Sequence, residues 1–342
     1  MKTLPAFAVF AAFSVPCWSQ PDPKPLAVCA STPDLASIAR EVGGDTVRVT
    51  TFVKGPEDPH FVEARPSFVK ALAEADLWIH VGLELEVGWA PVLLLQSRNP
   101  RVQVGAPGHL DASTAITPLG IRKGKLDRSM GDVHGSGNPH YLLDPRNGWL
   151  VACKVRDVLV DLRPEQKAAI GARCRAFGAR LGEAMVGKKL SDKYEWEKLT
   201  LLAEHGKLAE FLRAQGDVAV EGWLGMLAPF RGAAVVVDHD MWPYFTLCFG
   251  LETVATLEPI PGVPPTTKHL SLVVAKAKSS KVRAILASPY YDPRHAAFVA
   301  RECGAKVAAM AHQTGGRPGT DDYLTMLESN VKKLVEALAE SR

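Results

Sequence analysis

Short apolar stretches alternate with amphipathic stretches along most of the chain. In the first hundred residues, the runs at 24–30, 46–53 and 77–81 are apolar or alternate with period two, which predicts strands. Helix signals lie between them, such as the start at Ser31-Thr32-Pro33-Asp34 of a helix that reaches about Val42. Strands that alternate with helices predict a parallel sheet wrapped by helices.

The second half of the chain repeats this alternation. Apolar runs at 233–237, 254–257, 284–287 and 306–310 predict strands, and amphipathic segments separate most of them. Two long helical stretches stand before this half, over 147–162 and from Pro164 to about Lys189. We therefore predict an α/β protein of two lobes, each a parallel sheet wrapped by helices, joined by a long linking helix.

The domain boundaries follow from these patterns and from the length of 342 residues, which suits two lobes better than one core. The predicted segments are an export signal at 1–19, an N-terminal α/β lobe at 24–160, the linking helix at 161–190, an irregular insertion at 191–232 and a C-terminal α/β lobe at 233–342. The sequence does not indicate a role for the insertion.

The N-terminus has the pattern of an export signal. Met1-Lys2 supplies a positive charge, Leu4–Val15 is apolar and uncharged, and a polar, Pro-rich stretch follows. The apolar run is shorter than the roughly 20 residues of a membrane-spanning helix. We therefore expect a periplasmic protein whose mature chain starts near Gln20. Cys17 could instead carry a lipid anchor, although Pro16 directly before it fits such a site poorly.

The composition is that of a globular protein, with 47% hydrophobic and 23% charged residues. A net charge of +3 without a Lys/Arg run gives no support to nucleic-acid binding. The common phosphate-loop, dinucleotide, hydrolase-elbow and HExxH motifs are missing from the sequence. No CxxC pair occurs, which argues against a thiolate zinc site. Export permits disulfides, and Cys153 and Cys174 could face each other and pair if their helices form a hairpin near Arg163-Pro164.

Three histidines fall where a strand or loop reaches the carboxyl edge of a predicted lobe, which is where open α/β folds bind ligands. They are His60 in GPEDPHFVEARPS, His140 in GSGNPHYLLDPRN and His239 in VVVDHDMWPYF. A proline precedes both His60 and His140, and it lowers the entropy lost when the ring is held. Imidazoles held in this way suit a metal ion.

The histidine segments and the C-terminal half resemble the cluster A-I substrate-binding proteins of metal ABC transporters, the zinc- and manganese-binding family. The matching stretches are TFVKGPEDPHFVEARPSFVKALAEADLWIHVGLELE, GNPHYLLDPRN, VVDHDMWPYFTLCFGLE, ASPYYDPRHAAFVARECGAKV and YLTMLESNVKKLVEAL. The resemblance implies a metal-binding protein that is not an enzyme. It would hold its ion in the cleft between the lobes and deliver it to an ABC permease, which a separate ATPase drives.

The resemblance also implies a ligand set. His60, His140 and His239 match the three histidine positions of the family. The fourth ligand of the family is usually an Asp after the last strand, and it is missing here. His312 stands beside the expected position and is our predicted fourth ligand; a water molecule or a carboxylate at 321–322 would be the alternative.

The ligand types favour Zn²⁺ as the transported ion, because imidazole nitrogens suit a borderline metal at four-coordinate geometry. Manganese-type members tend to carry Glu where His239 stands, so Mn²⁺ is the less favoured ion. Zinc binding should weaken below about pH 6, since imidazole must be neutral to bind a metal. We expect the protein to act as a monomer.

The surroundings of the histidines give further expectations. Nearby carboxylates could accept the distal ring N–H of a ligand; the candidates are Asp58, Glu63 and Asp240. His134 is expected to be a solvated loop residue, with an auxiliary, weak metal contact as the alternative. His80 is expected to be a core or crevice residue. No special role is expected for the remaining histidines, which are His109, His205, His269 and His295.

Two other classes of function fit three histidines. A zinc hydrolase or lyase would use an open fourth position on the metal to acidify water. A zinc buffer or sensor would bind the ion without meeting a permease.

Overall fold

The computed structural model describes residues 24–121, 134–217, 219–260 and 262–340. The predicted export signal, with Cys17, lies outside the described residues. Within them, none of the helices combines the length and the apolar character that crossing a membrane requires.

Two four-stranded parallel sheets organise the described part of the chain. Their strands are β1 Leu26–Ala30, β2 Val47–Thr51, β3 Leu77–His80, β4 His109–Asp111, β5 Ala234–Val237, β6 Glu252–Thr256, β7 Ala284–Ala287 and β8 Lys306–Ala309. The strand orders are β2-β1-β3-β4 and β6-β5-β7-β8, so the second sheet repeats the order of the first. The predicted α/β fold of two parallel-sheet lobes is thereby confirmed. β4 is not predicted, because three residues carry no recognisable pattern.

Helices cover both sheets and connect them. Their bounds are α1 Pro33–Gly43, α2 Pro66–Glu74, α3 Ala90–Ser97, α4 Pro145–Leu162, α5 Lys167–Val186, α6 Lys188–Ser191, α7 Trp196–Glu204, α8 Leu208–Ala214, α9 Gly222–Leu227, α10 Pro243–Phe249, α11 Thr267–Ser279, α12 Pro293–Cys303 and α13 Tyr323–Glu340. Many begin with proline in the first turn, where no backbone N–H is needed. Asp144 caps α4, accepting a hydrogen bond from the backbone N of Arg146.

The long helix predicted between the lobes is α5, which packs against α4 and α1. Residues 191–232, predicted as an irregular insertion, contain the three short helices α7, α8 and α9. Of these, α7 and α9 pack against α5, and α9 also contacts α13. The segment therefore braces the connection between the two sheets. The exact domain boundaries remain a prediction.

One hydrophobic core runs through both lobes, and a smaller cluster covers the other face of each sheet. Tyr323, at the start of α13, lies where the lobes meet. Its backbone N–H donates to Ser37 Oγ at 3.0 Å, and its hydroxyl donates to the carbonyl of Leu142 at 2.6 Å. Each fully buried large side chain of this core contributes on the order of 1.5–3 kcal/mol. The shared core makes large relative motion of the lobes costly.

The α4–α5 hairpin brings two cysteines together. The interaction between the Cys153 and Cys174 thiols raises the pKa of Cys153 and lowers that of Cys174. The two side chains lie near each other, as expected, but both are free thiols, so the disulfide that this placement suggested is not formed. The five cysteines among the described residues are all free thiols.

Candidate metal site

His60 lies in the loop that follows β2, and its neighbours fix the ring. The carbonyl of Pro59 accepts a hydrogen bond from Trp89 Nε1 at 3.1 Å. Asp58 Oδ1 accepts from the backbone N of His60 at 3.0 Å and from its Nδ1 at 2.7 Å. Burial raises the pKa of Asp58, but the hydrogen bonds and charge of His60 outweigh it and lower this pKa. Because Nδ1 donates to Asp58, we assign the lone pair of neutral His60 to Nε2.

His140 stands just before the turn that leads into α4. Asn138 Oδ1 accepts from the backbone N of His140 at 3.0 Å, and the Tyr244 hydroxyl donates to the carbonyl of Asn138 at 2.9 Å. The Nε2 atom of His140 is buried and has no hydrogen-bond partner. Burial, followed by the nearby charges of His60 and His239, holds the pKa of His140 well below its usual value. A buried, unpaired nitrogen on a neutral ring is available to a metal ion.

His239 lies two residues after the end of β5 and is buried. Its Nδ1 donates to Glu258 Oε2 at 2.7 Å, which leaves Nε2 with the lone pair in the neutral ring. Burial alone would lower the pKa of His239, but the hydrogen bond and charge of Glu258 raise it. Asp238 holds the turn by accepting from the backbone N of His239 at 2.8 Å and from Trp242 Nε1 at 2.9 Å.

The three rings converge from both lobes. His60 and His140 belong to the N-terminal half, and His239 comes from the C-terminal sheet. The ring centroids are 5.3 Å apart for His60–His140, 5.8 Å for His140–His239 and 6.2 Å for His60–His239. The rings are neighbours in this arrangement. Among the described segments, no three His, Cys, Asp or Glu side chains are placed so that together they could hold one metal ion.

His134 joins this group, so the expectation of a solvated loop histidine is wrong. Its Nε2 lies 3.1 Å from His60 Nε2, and the two ring centroids are 5.2 Å apart. Burial lowers the pKa of His134 to about 4. Glu84 holds the loop, because its carboxylate accepts from the backbone N of Gly135 and from Ser136 Oγ, both at 3.0 Å. The contact joins two loops 74 residues apart, so local sequence patterns did not predict it.

His312 follows β8 and is buried at the other side of the group. Its Nε2 donates to the carbonyl of Glu57 at 3.0 Å, and its Nδ1 is buried without a hydrogen-bond partner. Its ring packs edge-on against Tyr290, with centroids 4.5 Å apart. Burial lowers the pKa of His312 to about 4. The ring is thus neutral and has a free nitrogen, while its role as the fourth ligand stays a prediction.

The carboxylates around the site correspond only partly to those expected. Asp58 is the partner of His60, as predicted, whereas Glu63 is exposed. The hydrogen-bond partner of the His239 ring is Glu258 rather than Asp240, whose charge also raises the pKa of His239. Glu258 lies two residues after β6, the strand that pairs with β5, and this pairing rather than a local pattern brings it to His239.

The family profile described as "Zinc-uptake complex component A periplasmic" (ZnuA) matches residues 28–216 and 219–337. The chain belongs to this family. It is therefore an exported, metal-binding substrate-binding protein of an ABC transporter, whose partners are a permease and an ATPase. Members of the family are transport proteins and not enzymes, so the hydrolase alternative is not retained, and neither is a buffer or sensor without a permease.

Individual relatives are distant but cover most of the chain. The high-affinity zinc uptake system protein ZnuA of Yersinia pestis is 24% identical over 315 residues, covering 87% of this chain and 83% of the relative. The iron ABC transporter substrate-binding lipoprotein MtsA of Streptococcus pyogenes is 22% identical over 322 residues, covering 92% and 89%. A crystal structure of ZnuA superposes with a TM-score of 0.66 at 23% identity, covering 91% of this chain and 98% of that one. The relatives thus carry names for different metals.

Proposed function

We propose that the protein captures Zn²⁺ between its lobes with His60, His140 and His239 and delivers it, as a monomer, to its permease. The observation that carries this proposal is the convergence of three rings from both lobes, including His140 with its buried, unpaired Nε2. A small closure of the rings would bring three imidazole nitrogens to one ion, and such a set suits zinc.

The hydrogen bonds behind the rings support the same proposal. His60 and His239 each donate Nδ1–H to a carboxylate, so each directs an Nε2 lone pair away from its partner. Carboxylates in this position orient metal-binding imidazoles and raise their basicity. The nitrogen-rich set favours Zn²⁺ over Mn²⁺ or Fe²⁺, although some relatives are named for iron.

The fourth ligand has two histidine candidates, each supported by a different observation. His312, the residue predicted from sequence, has a buried and unpaired Nδ1 but turns its Nε2 to Glu57. His134 already has its Nε2 at 3.1 Å from that of His60. Two nitrogens bound to one tetrahedral zinc ion lie about 3.3 Å apart, so the His60–His134 pair has nearly that spacing.

The proposal is tested by titrating the mature, metal-stripped protein with Zn²⁺ in competition with a chromophoric chelator. The variants His140→Ala, His312→Ala and His134→Ala are compared with His205→Ala, an exposed histidine on another surface, as the matched control. We expect His140→Ala to weaken zinc binding by at least about tenfold, while the control keeps the parental affinity. Unchanged zinc affinity in His140→Ala would refute the proposed ligand set. The variant of the pair 134 and 312 that loses more affinity identifies the fourth ligand.

A further inference from the structure

A second pair of histidines lies in the N-terminal lobe, outside the group between the lobes. His80 is the last residue of β3 and His109 is the first residue of β4, its parallel neighbour. The register pairs Trp78 with His109 and His80 with Asp111, so these side chains emerge on one face of the sheet. The His80 and His109 rings have centroids 5.0 Å apart, and their Nε2 atoms are 3.1 Å apart.

In each ring the Nδ1 atom faces an acceptor, and the two Nε2 atoms face each other. His109 Nδ1 donates to the carbonyl of Val102 at 2.8 Å, which leaves Nε2 of the neutral ring as an acceptor. His80 Nδ1 faces Glu86 Oε2 at 3.7 Å. Without a metal, one proton can be shared between the two Nε2 atoms. A divalent ion can take the place of that proton, because two nitrogens bound to one tetrahedral ion lie about 3.3 Å apart.

The surroundings of the pair favour a cation. The rings open into a cavity of about 340 Å³, and three carboxylates line it, namely Glu84, Glu86 and Asp111. Among the described residues that line it, none is Lys or Arg. Glu86 is buried and holds the turn after β3, accepting from the backbone N of Val81 at 2.7 Å and of Gly82 at 3.1 Å. The cavity therefore has negative walls beside two converging imidazoles.

We propose that His80 and His109 form a second, weaker binding site for a divalent transition-metal ion of the zinc class. Water molecules complete the coordination, and Asp111, which lies on the same face as His80 and lines the cavity, is the candidate for a carboxylate ligand. Two imidazoles without a closed four-ligand set bind more weakly than the group between the lobes would. Glu84 lines both this cavity and the one that contains His60 and His134, so the second site lies next to the first.

Calorimetric titration with Zn²⁺ tests this site on the mature protein, stripped of metal and carrying no polyhistidine tag. We expect two classes of binding. His80→Gln and His109→Gln should each abolish only the weaker class, and the tight class that they retain shows that the variants are folded. His239→Ala should remove the tight class and keep the weaker one. His205→Gln, which alters an exposed histidine of another surface, is the control and should change neither class.

The unmodified protein provides an independent measurement. After one equivalent of Zn²⁺, a second equivalent should shift the imidazole NMR signals of His80 and His109 and leave those of His205 and His269 in place. Three results would overturn the proposal. These are a single binding class in the parent protein, survival of the weaker class in both glutamine variants, and loss of the weaker class in His134→Gln instead.

Discussion

The two lobes share one strand order but place their candidate metal ligands at different points of the fold. In the C-terminal sheet, the first strand β5 runs directly into Asp238 and His239, which places a candidate ligand at the point where the strand order reverses. In the N-terminal sheet, the corresponding region beside β1 and β3 is filled by the buried carboxylate of Glu86. His60 instead arrives on a loop after β2. The comparison shows that the same topology can present a ligand from a strand end or from a loop.

His239, which follows a strand, and His60, which lies on a loop, differ in how firmly their neighbours hold them. His239 and its partner Glu258 are both almost fully buried, with side chains 4% and 9% exposed. In the His60–Asp58 pair, Asp58 is 23% exposed. The loop is tied to the other lobe, because Gln313 Nε2 donates to the carbonyls of Lys54, Gly55 and Glu57, each at 3.0 Å. The C-terminal lobe thus supplies a rigid ligand and also holds the loop of the other.

The largest effect is expected from removing the rigid ligand. His239→Ala should lower zinc affinity by well over tenfold, because it removes a donor and leaves Glu258 buried without its partner. Chelator competition measures the loss. A smaller loss of zinc affinity in His239→Ala than in His60→Ala would show that the strand-end ligand is not the more important of the two.

The carboxylates that accept hydrogen bonds from the two rings should show the same difference: removing the partner of His239 should cost more zinc affinity than removing the partner of His60. Glu258→Gln should weaken zinc binding by about 10–100-fold, and Asp58→Asn by less, because Asp58 is more exposed and water can replace its hydrogen bond. The two variants are nearly isosteric with the parent, so each serves as the control of the other in one titration series. Equal losses would mean that burial does not decide how strongly each ring is held.

Glu86 should matter for stability rather than for the tight metal site. Glu86→Ala leaves the backbone N–H groups of Val81 and Gly82 and the ring of His80 without their buried acceptor. We expect the free energy of unfolding to fall by about 3 kcal/mol, measured by urea denaturation. A milder loss is expected in Glu86→Gln, which keeps one acceptor oxygen. An unchanged unfolding free energy in Glu86→Ala would contradict the structural role assigned to this carboxylate.

The smallest effect concerns the contact of Asp34 with the other lobe. Asp34 Oδ1 accepts from both the backbone N and the hydroxyl of Thr314 at 2.6 Å, and burial raises the pKa of Asp34 to about 6. The folded state therefore favours the protonated acid, and this contribution to stability is lost as the pH rises through about 6. Asp34→Asn keeps the acceptor without the charge. Relative to that of the parent, the free energy of unfolding of Asp34→Asn should rise by about 2 kcal/mol between pH 4.5 and 7.5.

Urea unfolding at the two pH values, with the parent and Asp34→Asn side by side, measures this difference. A pH-independent difference between the two proteins would show that Asp34 does not titrate in this range.

Local patterns in the sequence were sufficient to predict the two lobes, the strands of each sheet except β4 and the helices α4 and α5. They also located His60, His140 and His239, because strand ends and proline-preceded turns are local features. Contacts between distant segments were not predictable. Glu258 reaches His239 only because β6 pairs with β5, and His80 meets His109 only because β4 pairs with β3. His134 was expected in solvent, since its contact with His60 joins two loops 74 residues apart.

We propose that one zinc ion is held by histidines from both lobes. A crystal structure of the zinc-loaded mature protein, with an anomalous difference map at the zinc edge, tests it most directly. We predict one strong peak within about 2.1 Å of imidazole nitrogens of His60, His140 and His239, and a weaker one, if zinc is in excess, between His80 and His109. A strong peak bonded to histidines of one lobe only would contradict zinc binding between the lobes.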